Sequence, residues 1–467
     1  MCTDKAPIRN VCNATERITL PCFFAATVLC GAIAVVAQDH NAWKAGVASA
    51  KITPQEPVWM AGYAARKKPS EGVATDLFAK ALAIEDTNGR RLLIVTMDLI
   101  GVPRLLRDWL EQQAKEKYGL PQASLLMNAS HTHCGPELRL NRLNAGVKAE
   151  FAPAAERYMH RLKTQLVLLV GDALKRMVPA KLDIQRARCG FAMNRRRPTP
   201  SGYINAPNPD GPVDHEVPVL RVSAADGKLM ALLFGYACHT TTCGDHLIRG
   251  DYAGYAQQYL EEAHPGATAM FIAGCGADQN PYPRRSEELA KAHGRSLAVA
   301  VQAALQTVPR PLRNPLKVAF ADVTLEFAPV PSPQELKLLA ATAKEPRRSH
   351  AQRLLNQLKE QGEIRKTYPC PVQVARFGQE LILIGIGGEP CVDYSLRLKR
   401  ELAGPIVWVA GYCNDVFGYL PSLRVLREGG YEAGGATYWG SLPERFTESV
   451  EEQVVSKILR LAQDTSP

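Results

Sequence analysis

Asn128-Ala129-Ser130-His131-Thr132-His133-Cys134-Gly135-Pro136 follows a short apolar run, Leu125-Leu126-Met127, and closes on Gly-Pro. The apolar run predicts a strand, and the Gly-Pro pair predicts the tight loop into which it runs. Side chains alternate on an extended backbone, so His131 and His133 are expected on one side. Two imidazoles at a strand end make half of a metal site.

The same grammar, an apolar strand and then a small-residue loop carrying polar groups, recurs along the chain. It ends at His239, at Asp278, at Glu389 and at Asn414 to Tyr419. Lys80 to Asp86 and Arg91 to Asp98 read as a strand pair turned at Asn88-Gly89. Leu105 to Tyr118 has helical spacing, and Leu125 to Ser130 is the next strand. Strand, helix, strand is the unit of a parallel α/β sheet. Further strands are expected over Lys44 to Thr53, Pro218 to Val222, Leu229 to Ala237, Ala267 to Ala273, Glu380 to Ile386 and Pro405 to Ala410. Ala152 to Leu174, Asp251 to His264, Glu287 to Gln306 and Leu442 to Ala462 read as helices. Asn194 to Asp214 reads as a polar loop, and about 330–370 as a charged helical excursion. The expected fold is α/β, with a large mixed or mostly parallel sheet flanked by helices. Its site would lie at the carboxyl ends of the strands, where open α/β sheets bind ligands.

A chain of 467 residues with 46% hydrophobic and 22% charged residues is ordinary for a globular protein. The net charge of +10 is scattered apart from Arg195-Arg196-Arg197 and short pairs such as Arg284-Arg285. Without a basic stripe, a zinc-finger spacing or a basic helix, no nucleic-acid partner is expected. Residues 1–37 differ from the rest. Lys5, Arg9 and Arg17 precede an apolar run from Ile18 to Ala37, with small residues before Gln38. This is the pattern of an export signal cleaved after Ala37, giving a periplasmic or secreted protein. The same segment is almost long enough to serve instead as an anchor. Residues 44–467 would then form one hydrolase domain. Of the 12 cysteines, Cys2, Cys12, Cys22 and Cys30 lie in this leader, and those that follow form no CxxC pair.

The strand ends together offer two or three histidines, one glutamate and one tyrosine. Two histidines and a carboxylate are a catalytic zinc set that keeps a position for water or substrate. Zinc there lowers the pKa of water to about 7 and polarises a carbonyl.

The ordered pieces SHTHCGP, ACHTTT with GDYAGYA, GEP, and NDVFGYLP with GGYEAGGATYWG resemble the neutral/alkaline (non-lysosomal) ceramidases, from about Lys44 onward. The resemblance implies an α/β zinc amidase with one Zn2+ per chain, held by His131, His239, Glu389 and Tyr419. It implies His133 as a proton-transfer or substrate-positioning residue and Arg195 in the pocket. It also implies an N-acyl, sphingolipid-like substrate and peripheral contact with a membrane surface.

Two departures accompany it. The family carries a serine in a Gly-Asp-Val-Ser-Pro-Asn loop, and the counterpart here is Gly276-Ala277-Asp278-Gln279-Asn280-Pro281. Gln279 or Asn280 takes the serine's place, and neither is a nucleophile. Asp278 is the expected base or orienting group for a metal-activated water. The chain is also expected to lack the family's C-terminal β-sandwich domain. The reading is an exported zinc-dependent hydrolase of an amide or related acyl bond. The alternative is a non-catalytic exported binding protein that retains the metal pocket.

Overall fold

A computed structural model describes residues 42–466, apart from 144, 145 and 441. The presumed leader and anchor therefore lie outside the described residues. Trp43–Lys51 (β1), Phe78–Glu85 (β2) and Arg91–Met97 (β3) run antiparallel in register. The β2–β3 hairpin turns on Gly89, at φ 76°, and the Asp86 carboxylate accepts from Asn88 N and Arg90 N. Glycine meets this left-handed backbone at little cost. Arg104–Tyr118 (α1) then crosses to Leu125–Ala129 (β4), which pairs parallel with β3. The strand–helix–strand reading is borne out there.

After Ala152–Lys175 (α2) the chain adds Val178–Arg188 (β5), the hairpin Ala192–Thr199 (β6) and Gly202–Asn208 (β7), then Glu216–Ala224 (β8) and Leu229–Tyr236 (β9). Asp251–Ala263 (α3) leads into Thr268–Ala273 (β10), and Glu287–Leu305 (α4) follows. The main sheet has nine strands. Its order is β10-β9-β8-β5-β1-β2-β3-β4, with Arg310–Pro311 added beside β5. Only its two ends, β9–β10 and β3–β4, are parallel pairs. The sheet is thus mixed rather than mostly parallel, because helical crossovers, α1 and α3, join neighbouring strands only at its two ends.

A second sheet holds Leu316–Glu326 (β11), Thr367–Phe377 (β12), Leu381–Ile386 (β13) and Ile406–Ala410 (β14), in that order. Strand β12 takes up 367–371, which the sequence reading assigned to the helical excursion. The excursion itself is Pro333–Thr342 (α5) and Arg347–Gln361 (α6). Its own small core is Leu336, Ala351 and Leu354.

Four layers result. Leu106 and Leu110 of α1 and Leu162 and Leu166 of α2 pack on one face of the main sheet, and α3 and α4 cover its β8–β10 half. Leu82, Ile84, Leu92 and Ile94 on the other face meet Leu381, Leu383 and Trp408 of the second sheet. Val392–Glu401 (α7) and Val450–Asp464 (α8) cover the second sheet's far side. Strands buried on both faces explain the continuous apolar runs in β2, β3, β13 and β14.

Asn128 joins the layers where the site begins. Its fully buried amide accepts from Ala273 N at 3.0 Å and donates to Gly411 O at 2.7 Å. The carboxyl ends of β4, β10 and β14 therefore meet at one side chain. By ladder order β4 runs opposite to β10, so a flat sheet would not bring these ends together. Twist and curl do.

Candidate metal centre

His131 lies two residues beyond β4 at φ 60°, so the alternation of an extended strand does not set its direction. A turned loop brings His131 and His133 together instead, with their Nε2 atoms 3.2 Å apart. The His131 ring is held from behind, as Nδ1 donates to Ile100 O at 2.6 Å. His239, in the loop after β9, repeats the device, with Nδ1 donating to Gly276 O at 2.7 Å. Each bond puts the ring hydrogen on Nδ1 and leaves Nε2 with a bare lone pair.

Glu389 reaches the same point from the second sheet. Residues Glu389–Pro390 pair in parallel with Tyr419–Leu420, so Glu389 and Tyr419 are neighbours across two short strands. Glu389 Oε2 lies 3.2 Å from His131 Nε2 and 3.5 Å from His239 Nε2. His239 Nε2 and Glu389 Oε2 are both buried and have no hydrogen-bond partner among the described residues. A lone pair facing a carboxylate oxygen without a hydrogen between them is unfavourable, and a cation between them resolves it. Ligand nitrogens of His131, His133 and His239 all lie within 4.8 Å of one another. The donor set therefore fits a divalent cation.

Electrostatics agree with unprotonated ligands. Burial, then Arg195, lowers the His239 pKa to about 3. Burial and the adjacent His131 and His239 hold His133 well below the ordinary histidine value. Burial works against the Glu389 carboxylate, but His131 and His239 outweigh it and keep the group well below the usual carboxylate range. Tyr419 is pushed well above the usual phenol value by burial, against the pull of Arg195. As a phenolate ligand it needs the cation's own charge. Its ring lies parallel to that of His239, 6.4 Å away.

Arg195 touches this group. Its guanidinium donates to Tyr419 Oη at 2.9 Å, to Glu432 Oε1 at 2.9 Å and to Asn280 Oδ1 at 3.2 Å. Arg195 and Arg196 are buried, not a solvated run, because Glu432 bonds both. The segment read as a polar loop, Asn194 to Asp214, begins as the β6–β7 hairpin, and Gln279–Pro281 pairs with β6. The sequence concealed this, since the charges that make it look solvated are neutralised by acids more than 200 residues away.

The carboxylate of Asp278, the expected base or water-orienting group, is taken up by backbone and side-chain partners. Its buried carboxylate accepts from Val392 N at 2.9 Å, from Asn194 Nδ2 at 3.2 Å and from Arg424 at 3.3 Å. Gln279 also turns away, with its side chain bonded to Ala237 O, Cys275 O and Asp214 N. Asn280 is the residue of that loop whose side chain meets Arg195.

His131, His133, Glu389 and Tyr419 line a cavity of about 770 Å³, its open mouth included. Phe417, Leu442 and Phe446 form an apolar wall, while Arg139 and Arg142 stand at its polar side. Helix α6 braces the wall, as His350 Nε2 donates to Leu442 O and Arg353 to Tyr438 O. Sequence reasoning missed Glu432, although it is the one acid in the quoted Gly-rich stretch, and missed Tyr412, whose ring packs on His131 at 4.4 Å.

With this geometry in view, comparison with known proteins finds a family match. The family described as "Neutral/alkaline non-lysosomal ceramidase, N-terminal" matches residues 43–280. The chain belongs to that family. A neutral ceramidase from Drosophila melanogaster is 25% identical over 262 residues, which is 54% of this chain and 36% of that protein. Neutral ceramidase A from Dictyostelium discoideum is 27% identical over 256 residues, or 51% and 35%. The matched stretch spans about a third of the length of these relatives. The crystal structure of neutral ceramidase from Pseudomonas aeruginosa shares the fold. It has a TM-score of 0.71 at 20% identity, over 92% of this chain and 76% of that one.

Proposed function

We propose that this chain is an exported, zinc-dependent hydrolase of N-acyl lipids of the ceramide type. One observation carries the reading: the bare Nε2 of His239 and the unbonded Oε2 of Glu389 face each other, buried, beside a cavity with an apolar wall. Family membership supports the hydrolase class. His131, His239 and Glu389 would hold the cation, with Tyr419 as a further oxygen ligand. Zinc suits two histidines and a carboxylate, and when bound it polarises the acyl carbonyl and acidifies water.

The chain's own residues do the rest. Ile100 O and Gly276 O fix the orientation of the two ligand imidazoles. His133 lacks such a bond, as its Nδ1 has no partner among the described residues. That leaves it free to carry a proton from the attacking water to the leaving nitrogen. Arg195 holds the Tyr419 oxygen and adds positive charge where the carbonyl oxygen becomes negative. Phe417, Leu442 and Phe446 take the acyl chain and keep water from it. Gln279 and Asn280 supply no nucleophile, so water attacks directly.

The test is hydrolysis of an N-acylsphingosine by purified protein, before and after chelation, with zinc then returned. Activity lost on chelation and restored by zinc is the expected result. Full activity in the stripped protein would contradict it.

A further inference from the structure

Guanidinium groups gather at the polar side of the cavity, and most have their charge met. Arg139 is held by Glu137 through two bonds of 2.6 and 2.7 Å. Arg195 is held by Glu432, and Arg445 is exposed to water. Arg142 is different. It is partly buried, lines the cavity beside Gly440, and has no carboxylate or hydrogen-bond partner for its side chain among the described residues. The neighbours not described, 144 and 145, are Asn and Ala and carry no acid. Glu444, another acid on the wall, accepts from Arg445 N and forms no ion pair with Arg142. Burial, together with the charge of Arg139, lowers the pKa of Arg142 to about 10, so it stays charged at neutral pH.

The Arg142 guanidinium lies in the field of Glu137 and Glu389 but is bonded by neither, and the fixed fork of arginine matches a carboxylate. We propose that Arg142 is a specificity-determining residue that selects N-acyl substrates carrying one carboxylate close to the amide, as in an N-acyl amino acid. One unpaired guanidinium calls for one negative charge, since Arg139 beside it is already saturated by Glu137. The inference rests on the N-acyl hydrolase reading for the term N-acyl, but the recognition of the anion is a binding property and can be measured separately.

The experiment uses the full chain loaded with zinc and two probes, N-dodecanoylglycine and N-dodecanoylethanolamine. They share the acyl chain and the amide and differ in the carboxylate. Binding is measured by calorimetry and hydrolysis is followed in parallel. A charge-assisted bond implies that the glycine conjugate binds about tenfold to a hundredfold more tightly, a margin that shrinks with added salt. In Arg142→Gln the two probes should bind alike, and in Arg142→Lys the preference should be intermediate. Equal binding of both probes by the wild type, binding of neither, or an unchanged preference in Arg142→Gln overturns the proposal. The last result is also what a carboxylate bound directly to the metal would give. If Arg142→Gln does not fold, the Lys variant and the salt dependence of the wild-type preference decide the matter. An Arg142-dependent preference without hydrolysis of either probe sustains this inference and defeats the hydrolase reading. Hydrolysis of both without preference does the reverse.

Discussion

Two buried carboxylates at strand ends, Glu389 and Asp278, look alike in sequence and have opposite lives in the fold. Asp278 is fully bonded, to Val392 N, Asn194 and Arg424. Glu389 faces two histidine nitrogens, and its Oε2 has no hydrogen-bond partner. A satisfied buried acid ties elements together, whereas an unsatisfied one stores an unfavourable contact that a ligand can relieve. The difference separates a carboxylate left open to a ligand, Glu389, from one taken up in the architecture, Asp278.

The sharpest way to break the comparison is to neutralise each acid. Glu389→Gln should lower hydrolysis of an N-acyl substrate by at least about a thousandfold, because the cation loses its anionic ligand. Asp278→Ala should do the opposite. It should cost about 3 kcal/mol in denaturant unfolding by leaving Val392 N and Asn194 unbonded, while metal content per folded chain is retained. If Glu389→Gln destabilised the metal-free protein as much as Asp278→Ala does, the two acids would be of one kind.

Titration sharpens the same contrast. Burial, with Asp393 nearby, raises the Asp278 pKa to about 6. An acid whose folded pKa lies above its unfolded value binds its proton more tightly when folded. Its contribution is present below about pH 4 and is lost as pH rises to about 6, by up to about 3 kcal/mol. The stability of wild type relative to Asp278→Asn, followed by urea unfolding from pH 4 to 7, should fall over that window and then level. A flat difference would remove Asp278 from the account.

The smallest effect concerns the neighbour of the ligands rather than a ligand. Gly62 sits at φ 95°, and a Cβ there would come within 2.4 Å of the His133 ring. Gly62→Ala should displace His133 and slow turnover about tenfold to a hundredfold with zinc content unchanged. Loss of zinc instead would make His133 a ligand.

Much of this was legible in the chain. The strand ends at His131, His239 and Glu389 carried their own signal, an apolar run broken by glycine and a polar group. The β2–β3 hairpin was visible in Asn88-Gly89. What escaped depends on distant partners. The β6–β7 hairpin was hidden because Arg195 and Arg196 are neutralised by Glu428 and Glu432. Strand β11 escaped for another reason, since Lys317 to Ala321 is partly buried on both faces and only its last residues, Asp322 to Glu326, alternate between exposed and buried. The role of Asp278 could not be read at all, because its partners come from β6, from α7 and from the segment that bears Arg424. No local pattern announces such a meeting.

The central claim is that His131, His239 and Glu389 hold a cation. The direct measurement is zinc per chain in purified wild type, His131→Ala, His239→Ala and Asp278→Ala after loading and dialysis. About one zinc in the wild type and in the folded Asp278 variant, with almost none in the two histidine variants, is expected. Full occupancy in both histidine variants would contradict it.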